Sequence, residues 1–578
     1  MSARSCRCSS LLFSINAECP EVRSARSLFP LALSGSLALA CSDSSGPGTG
    51  PALTCTEAST EVLAVGEHRI LDPTGDDACV RLPAAGPAGA EHLYVAVATE
   101  GRETENGVST PYAITGSSPP IAAVRPLSSG LLSAFQPPQS ASEFHRMLRL
   151  RERALTEGSS ELLFKNGRMT PSSAAPPVPG EQRIFKVCTS RECNEFLDAA
   201  ATAKAVGQRV AIFVDNDAPA GGYTDPELTE VGNLFDDYLY PIDTVAFGRE
   251  SDVDGNGVVI VLLTHRVNEL TPNCASTGSV VLGYFFGADL LPQSVANPGS
   301  NEAEIFYGLV PDPLNSSCDI SAAFARSRLP ATFIHEFQHM ISFNQHVLVR
   351  GGTSEDTWLN EGLSHFAEEL GGRQIPNTAC PVSGSCVHDF IQGDMENAFE
   401  YLAAPEDHFL IEPGSSSAEL AERGANWLFV RWMADHFAND TLLGTDFTRR
   451  LVATRLIGEA NVEAQTNVGF DVLVPEWQMT NYLDDLPEYQ QVSSRLRYKT
   501  WNFRSAADSL GQAYPLVPDI TSGPGYSHSS VLRAGSGRHV LVTQAGGGSA
   551  VDLRLTAPSG EEPVSSSASP RIGLVRVR

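Results

Sequence analysis

Two histidines and a glutamate within residues 331–341, A-T-F-I-H-E-F-Q-H-M-I, have the types and the spacing of a metal site. His335 and His339 are four residues apart, so on a helix their side chains lie on one face, about one turn apart. Two imidazoles placed in this way can bind one Zn²⁺ at about 2.0–2.1 Å each. Glu336 is rotated by about 100° from His335, where it can reach a water at the metal without being a ligand. This H-E-x-x-H arrangement predicts a zinc site in which Glu336 is the general base.

A catalytic zinc needs three protein ligands and an open position for water, and the next helical segment offers the third ligand. Residues 357–370, T-W-L-N-E-G-L-S-H-F-A-E-E-L, carry an apolar stripe that predicts a second helix. Glu361 follows His339 by 22 residues, which is enough for this helix to return antiparallel and bring its carboxylate to the imidazoles. The alternative, that the histidines are ordinary core or surface residues, is weakened by this second helix.

The motif W-L-N-E-G-L-S after H-E-F-Q-H resembles the glutamate-zincin metallopeptidases, the clan of thermolysin and aminopeptidase N. Within that clan, three further segments resemble the hyicolysin family of secreted bacterial metallopeptidases: D-V-D-G-N-G-V-V-I-V-L-L-T, N-E-A-E-I-F-Y and G-A-N-W-L-F-V-R-W-M. The resemblance covers residues 181–505. It implies a mixed α/β (α+β) zincin-like domain that cleaves protein or peptide substrates. It also implies a Zn²⁺ held by His335, His339 and Glu361, with Glu336 as the catalytic glutamate.

Two departures from the family pattern matter for function. The spacing from His339 to Glu361 is longer than in the aminopeptidases, so we expect an endopeptidase and do not carry over exopeptidase specificity. His365 stands where thermolysin-like sequences have an aspartate, so the carboxylate that orients a ligand histidine must come from elsewhere or be absent. The candidates for that carboxylate are Glu368 and Glu369. The candidates for the donor that stabilises the tetrahedral oxyanion are Tyr401, Arg423 and His436.

A second set of oxygen donors precedes a predicted strand. Asp252, Asp254 and Asn256 with Gly257 form D-x-D-x-N-G, the first half of a calcium-binding loop. Position 12 of such a loop is Leu263 here instead of a glutamate, so the loop is not a complete EF hand. The sequence leaves two interpretations open, a Ca²⁺ site and a polar β-turn.

The elements that must position these residues follow from hydropathy. The runs R-V-A-I-F-V (209–214) and G-V-V-I-V-L-L-T (257–264) are continuous and apolar, which is typical of buried strands. Helical spacing is present over 226–240, 330–371 and 418–437. We therefore expect the zinc metallopeptidase domain to extend over residues 181–505.

The flanking regions have different patterns. Short alternating runs broken by Gly, Pro and Asp predict small β-sandwich-like domains at 54–118 and at 506–578. Residues 119–180 are rich in proline and include one helical segment, 143–155, with four basic residues: Arg146, Arg149, Arg151 and Arg153. We expect a linker with one basic helix, and the alternative is a pro-segment lying on an acidic cleft.

The N-terminal region has the pattern of an export signal. Arg23 and Arg26 precede a short apolar run that ends in L-A-L-A-C at residues 37–41. Cys41 in that place resembles the lipidated cysteine of bacterial lipoproteins, and residues 41–53 would then be a flexible tether. The alternative is an ordinary signal peptide with a chance cysteine. We expect residues 1–40 to be a signal region, with translation starting at Val22, and a cell-envelope lipoprotein or secreted protein attached to the membrane through Cys41.

The net charge bears on the class of function, and the cysteine content agrees with export. The formal net charge is −28, from 40 Lys and Arg against 68 Asp and Glu, so nucleic-acid binding is disfavoured as the main function. Of the 12 cysteines, eight follow Cys41. An even set in an oxidising compartment implies disulfides, although eight cysteines allow 105 connectivities. The sequence-near couples are Cys55/Cys79, Cys188/Cys193, Cys274/Cys318 and Cys380/Cys386.

These observations together predict an exported zinc-dependent metallopeptidase. The motifs G-x-S-x-G and G-x-x-x-x-G-K-[ST] are absent from the sequence, so serine-hydrolase and P-loop chemistry have little support. Two alternatives remain. One is a non-catalytic surface-binding lipoprotein with a degenerate peptidase domain, and the other is a zinc hydrolase that cleaves a non-peptide bond.

Overall fold

The computed structural model describes residue 55 and residues 60–74, 78–116, 141–157, 175–190, 192–380, 382–414, 420–440 and 442–578. The described residues from Cys55 to Arg578 belong to one compact unit. The predicted signal region, Cys41 and the predicted tether lie outside the described residues. Among the helices that are described, none is both long and apolar enough to cross a lipid bilayer.

The strands of the described residues fall into three sheets. In chain order they are β1 (His68–Leu71), β2 (Cys79–Leu82), β3 (Ala90–Ala98), β4 (Ser109–Gly116), β5 (Gln182–Cys188), β6 (Phe196–Val206), β7 (Val210–Asp215), β8 (Val259–Leu263), β9 (Gly283–Phe285), β10 (Ile305–Gly308), β11 (Asp519–Thr521), β12 (Ser527–Arg533), β13 (Gly537–Gln544), β14 (Val551–Thr556) and β15 (Pro570–Arg576).

The described residues contain thirteen α-helices, labelled α1 to α13 in chain order. They are α1 (Ala141–Thr156), α2 (Asp225–Leu234), α3 (Tyr240–Ala246), α4 (His265–Glu269), α5 (Cys274–Thr277), α6 (Ala322–Phe343), α7 (Thr357–Gln374), α8 (Gln392–Ala403), α9 (Leu420–Phe437), α10 (Thr445–Val452), α11 (Gly458–Thr466), α12 (Phe470–Leu483) and α13 (Phe503–Ser509). Wider π-helical turns join α2 to α3 and extend α6 at its C-terminal end.

The central sheet has the strand order β5-β6-β7-β8-β10-β9. Strands β7, β8 and β10 run parallel to one another, whereas β9 pairs antiparallel with β10 and forms one edge. Every residue of β8 is buried, as its continuous apolar sequence predicts, so the predicted strands at 209–214 and 257–264 are confirmed. β9 is therefore an edge strand of this sheet.

Helices α6 and α7 confirm the two helices predicted over 330–371. Ser321 caps the first turn of α6 by accepting a hydrogen bond from the backbone of Phe324. From Thr332 onward every residue of α6 is buried, and α7 is nearly as enclosed between α6 and α9. This enclosure places the polar residues of the H-E-x-x-H motif in the protein interior.

The other two sheets combine strands from both ends of the described chain. Their orders are β1-β15-β3-β13-β11 and β12-β4-β14-β2, and they share one apolar core. The prediction of separate small β domains at 54–118 and 506–578 is therefore wrong. In either segment alone, strand edges would lack pairing partners. The N-terminal strands β3 and β4 provide them, because each lies between two C-terminal strands.

Helix α1 corrects the expectation of a linker helix. A linker helix would keep its arginines in water, but Arg146 and Arg149 are buried, as are His145 and Glu152. Its apolar residues Phe144 and Leu148 join the core beneath the central sheet. Helix α1 is therefore a packed element in the described structure.

The eight cysteines that follow Cys41 are paired as four disulfides. They are Cys55–Cys79, Cys188–Cys193, Cys274–Cys318 and Cys380–Cys386. The structure thus selects the sequence-near couples from the connectivities that the sequence allowed. This pairing agrees with folding in an oxidising compartment.

Candidate metal centre

Three side chains from α6 and α7 converge at the predicted site. His335 and His339 lie on α6, and each Nε2 is 3.6 Å from an oxygen of Glu361 on α7. One donor atom from each residue lies within 4.8 Å of the others, and all three residues are buried. Helices α6 and α7 run antiparallel here, because the earlier histidine, His335, contacts the later residue Glu368, whereas His339 contacts Asn360. The predicted return of the second helix is therefore confirmed.

The donor atoms of this group are unusual in lacking hydrogen-bond partners. Among the described residues, neither Nε2 atom nor either oxygen of Glu361 has one, and the close contact of Glu361 with a cation is an ion pair with Arg423. Buried polar atoms without partners are rare in folded proteins, because each loses its hydration for nothing in return. Two imidazole nitrogens and one carboxylate form the donor set of a catalytic zinc site with an open fourth position. The residues therefore fit a bound Zn²⁺.

The far side of each imidazole is held by a hydrogen bond, which fixes the ring. Nδ1 of His335 lies 2.7 Å from Oε1 of Glu368. Nδ1 of His339 lies 3.2 Å from Oδ1 of Asn360 and 3.0 Å from the hydroxyl of Ser364. A proton on Nδ1 leaves Nε2 as the free donor towards a metal. Of the two candidates for the orienting carboxylate, Glu368 fills the role.

Glu369, the other candidate, has a structural role. Its carboxylate lies 2.6 Å from the guanidinium of Arg373 and 3.4 Å from that of Arg431. It also accepts a hydrogen bond from the indole of Trp427. These contacts hold α7 against α9, and the carboxylate does not face the imidazoles.

His365 belongs to a hydrogen-bonded network beside the site. Its Nδ1 lies 2.9 Å from Glu368 and 2.8 Å from Asp394, which comes from α8. Burial and the neighbouring charge of Glu368 raise the pKa of Asp394. His335, His365 and Glu368 are close enough to bind an ion, but the carboxylate of Glu368 already contacts Nδ1 of both histidines. We therefore interpret Glu368 and His365 as residues that fix the orientation of the His335 ring.

Glu336 lies one residue after the first ligand and faces strand β9. Its Oε2 accepts a hydrogen bond from the backbone N–H of Phe285 at 2.7 Å. Burial raises the pKa of Glu336, while His335 and Arg149 oppose that rise with their charges. A buried carboxylate with a raised pKa, fixed beside a candidate metal site, is a candidate general base.

Of the three candidates for an oxyanion donor, the structure brings Arg423 alone to the site. Its guanidinium is 3.2 Å from Glu361. Burial alone would raise the pKa of Glu361, but the charge of Arg423 opposes burial, and the pKa of that carboxyl lies well below its usual range. Gly424, the next residue, permits close packing of α9 against α8, because a Cβ there would meet the backbone of Asn397 at 2.3 Å. Tyr401 instead accepts a hydrogen bond from Gln478, and His436 meets the carbonyl of Arg497.

The predicted calcium loop gathers a partly different set of residues. Asp252 and Asp254 converge with Glu304, one oxygen from each within 4.8 Å. Asn256 is turned away, because its amide donates to Asp254 and its oxygen accepts from the backbone of Val258. Glu304 precedes β10 and is 2% exposed, and its Oε2 has no partner among the described residues.

Four residues of these two sites have no role that their sequence motifs predicted: Asn360, Ser364, Asp394 and Glu304. Asn360 and Ser364 flank Glu361 on the same helix, so their nearness to the ligand was a usable signal. Asp394 and Glu304 reach the sites through tertiary contacts. Glu304 lies in the segment N-E-A-E-I-F-Y, which carried part of the family resemblance but had no chemical assignment.

Comparison with known proteins agrees with this geometry. Over 247 residues the chain is 27% identical to the neutral metalloprotease ShpI of Staphylococcus hyicus, which covers 42% of this chain and 48% of that protein. The chain thus spans about half the length of this curated relative. No family model matches the chain. Together, the partial similarity and the His/His/Glu group support a metallopeptidase with a bound metal.

Proposed function

We propose that this chain is an exported zinc-dependent endopeptidase of the glutamate-zincin type, similar to the hyicolysin family. One observation carries the proposal: the donor atoms of His335, His339 and Glu361, which lack hydrogen-bond partners among the described residues, face one another in the protein interior, with Glu336 in the adjacent position on α6. The similarity to a neutral metalloprotease supports the same conclusion.

The chain's own residues have distinct tasks in this mechanism. When bound, Zn²⁺ would polarise the scissile carbonyl and lower the pKa of a water molecule. The carboxylate of Glu336, held by the N–H of Phe285, accepts the proton of that water and later delivers it to the leaving amine. Arg423 keeps Glu361 ionised and supplies positive charge where the oxyanion develops.

A substrate panel distinguishes this proposal from its two alternatives. We expect casein and internally quenched peptides to be cleaved, and cleavage to stop when a chelator is added. Hydrolysis of esters without cleavage of peptides would favour the zinc hydrolase of a non-peptide bond. No turnover of any substrate, by a folded protein with bound zinc, would favour the non-catalytic surface-binding lipoprotein.

Attachment to the membrane through Cys41 is part of this proposal and rests on the sequence. We expect the mature protein to partition with membranes, and Cys41→Ser to release most of it into the soluble fraction. Membrane fractionation with metabolic labelling by a fatty-acid analogue measures this, and Ser42→Ala serves as the matched control. An unlabelled wild-type protein in the soluble fraction would show that the anchor does not exist.

We further propose that Asp252, Asp254 and Glu304 bind Ca²⁺, because carboxylate oxygens suit this ion and one oxygen of Glu304 is buried without a partner. Calcium should therefore stabilise the fold by mass action, by about 2.7 kcal/mol at a concentration 100 times the Kd. We expect Asp254→Ala to abolish this gain in stability. The matched control Asp508→Ala removes an exposed carboxylate elsewhere and should retain the gain. Thermal unfolding with and without millimolar Ca²⁺ measures the effect.

The pH dependence of this stabilisation has a defined sign. Burial raises the pKa of Glu304 to about 7. A carboxylate must be ionised to bind Ca²⁺, so the stabilisation should be large at pH 8 and should decline as the pH falls through 7. Equal melting temperatures of wild type and Asp254→Ala across the calcium series would mean that the loop is an ordinary turn.

A further inference from the structure

Helix α1 lies against the candidate metal centre. Its residues Phe144 and Leu148 are almost fully buried, and the ring of Phe144 packs edge-on against Tyr284 of β9 at 5.0 Å. Arg149 donates to the carbonyl of Phe285, and the backbone N–H of the same residue donates to Glu336, so the guanidinium and the carboxylate meet at one residue of β9. The helix thus presents a cation to the proposed general base.

The contacts of α1 with β9 involve backbone groups at the edge of the central sheet. The guanidinium of Arg149 donates to the carbonyl of Phe285 at 2.5 Å. Glu152 accepts from the backbone N–H of Gly287 at 2.5 Å and forms an ion pair with Arg149 at 3.0 Å. Edge strands offer such groups to extended peptides, which bind by adding a strand. Arg149 thus occupies the carbonyl of Phe285 at this edge, and Glu152 occupies the N–H of Gly287 just beyond β9, groups that an extended peptide could use.

The C-terminal end of α1 is held by acidic residues next to the site. Arg153 lies 2.6 Å from Asp356 and 3.7 Å from Glu103. Asp356 precedes the first turn of α7, the helix that carries Glu361. Burial raises the pKa of Asp356, and the charge of Arg153 opposes that rise. The basic residues of α1 therefore compensate an acidic surface beside the metal centre.

The sequence on both sides of α1 is typical of cleavable connections. Residues 117–140 are rich in Pro, Ser and Ala, whereas residues 158–174 contain four Ser and two Gly but one Pro; the two stretches separate α1 from β4 and β5. Within the described residues, the contacts of α1 with the rest of the protein are made mainly by side chains. A helix with these properties can leave after cleavage on both sides without breaking a strand pair.

We propose that α1 is an internal inhibitor segment that covers the peptide-binding surface of the metal centre, and that cleavage within 117–140 and 158–174 releases it. The proposal rests on the peptidase function proposed above and adds its regulation. In the intact chain, α1 excludes the substrate from β9 and limits access to the metal. After release, the edge of β9 and the acidic surface around Asp356 become available.

The experiment uses the full chain with the recognition sequence of an unrelated site-specific protease introduced in each flanking stretch. The nicked protein is washed at high salt, which screens the ion pairs of Arg149 and Arg153, and loss of α1 is verified by mass spectrometry. Two rates are then compared with those of the intact chain: extraction of zinc by a chelator and cleavage of casein. A synthetic peptide of residues 141–157 is added back to the washed protein.

We expect both rates to rise by about tenfold or more on release, since one charged hydrogen bond alone accounts for about that factor in an equilibrium. The added peptide should reverse both changes, and the same peptide with Arg149→Ala should be about tenfold weaker. The Arg151→Ala peptide is the matched control and should act like the wild type, because Arg151 contacts the carbonyl of Glu192 and not the metal centre.

Unchanged rates in a folded protein that has lost α1 would overturn the proposal. Should the nicked protein unfold, the intact Arg149→Ala and Arg151→Ala chains make the same comparison. Faster zinc extraction by Arg149→Ala alone then supports the proposal, and equal extraction by both overturns it. If zinc extraction accelerates but casein is never cleaved, the peptidase function fails while the placement of α1 over the metal is supported.

Discussion

Glu336→Gln should abolish most peptide cleavage while leaving zinc bound. The amide keeps the size of the carboxylate, and its oxygen can still accept the hydrogen bond from Phe285. It cannot accept the proton of the attacking water, and loss of a positioned general base lowers rates by about 10²–10⁴. We expect the upper end of this range, because the same group also delivers the proton to the leaving amine. Casein cleavage and metal content measured on one preparation test this.

The comparison should be made on intact and α1-released protein in parallel, so that inhibition by α1 does not mask the effect. Glu396→Gln is a matched control, since it makes the same chemical change at an exposed carboxylate on α8. The control should cleave casein at the wild-type rate. Cleavage by Glu336→Gln at near the wild-type rate would show that another residue is the base.

Glu361→Ala should remove zinc and activity together. The carboxylate of Glu361 faces both Nε2 atoms at 3.6 Å, so its loss leaves two histidine ligands where a catalytic zinc needs three. The variant also leaves the charge of Arg423 facing the two histidines without its carboxylate partner, which further disfavours a cation there. We expect zinc content far below one equivalent after dialysis, with casein cleavage at background, and the same result for His335→Ala and His339→Ala.

Glu369→Gln provides the contrasting control for this experiment. Glu369 is a buried carboxylate on the same helix, but it pairs with Arg373 and Arg431 and does not face the imidazoles. Its variant should melt at a lower temperature and still retain zinc. If Glu361→Ala holds stoichiometric zinc and cleaves normally, the third ligand is a different residue and the glutamate-zincin assignment fails.

Features that depend on local spacing could be predicted from the sequence. The two histidines on one face of α6 follow from helical periodicity, and the buried strands β7 and β8 follow from their continuous apolar runs. The position of Glu361 needed one further step, the antiparallel return of α7, which the length of the intervening chain permits. Local chemistry and one short-range packing contact were therefore sufficient for the candidate metal centre.

Features that depend on distant pairing could not be predicted in this way. Strand β1 pairs with β15 from the other end of the chain, and hydrophobic alternation specifies a buried face without naming the partner strand. The same limit applies to Glu304, which joins Asp252 and Asp254 from a separate segment. The basic residues of α1 fit a solvated helix equally well by composition, and the burial of Arg146 and Arg149 became evident only in the folded structure.

Zinc titration of the metal-free, α1-released protein tests the central claim most directly. The protein is stripped with a chelator, dialysed and titrated with Zn²⁺ while casein cleavage and bound metal are measured together. We predict no cleavage without metal, recovery that rises linearly to one equivalent of zinc, and no recovery by Glu336→Gln at the same occupancy. Cleavage by the stripped protein, or a fully loaded wild type that cleaves no peptide bond, would contradict the account.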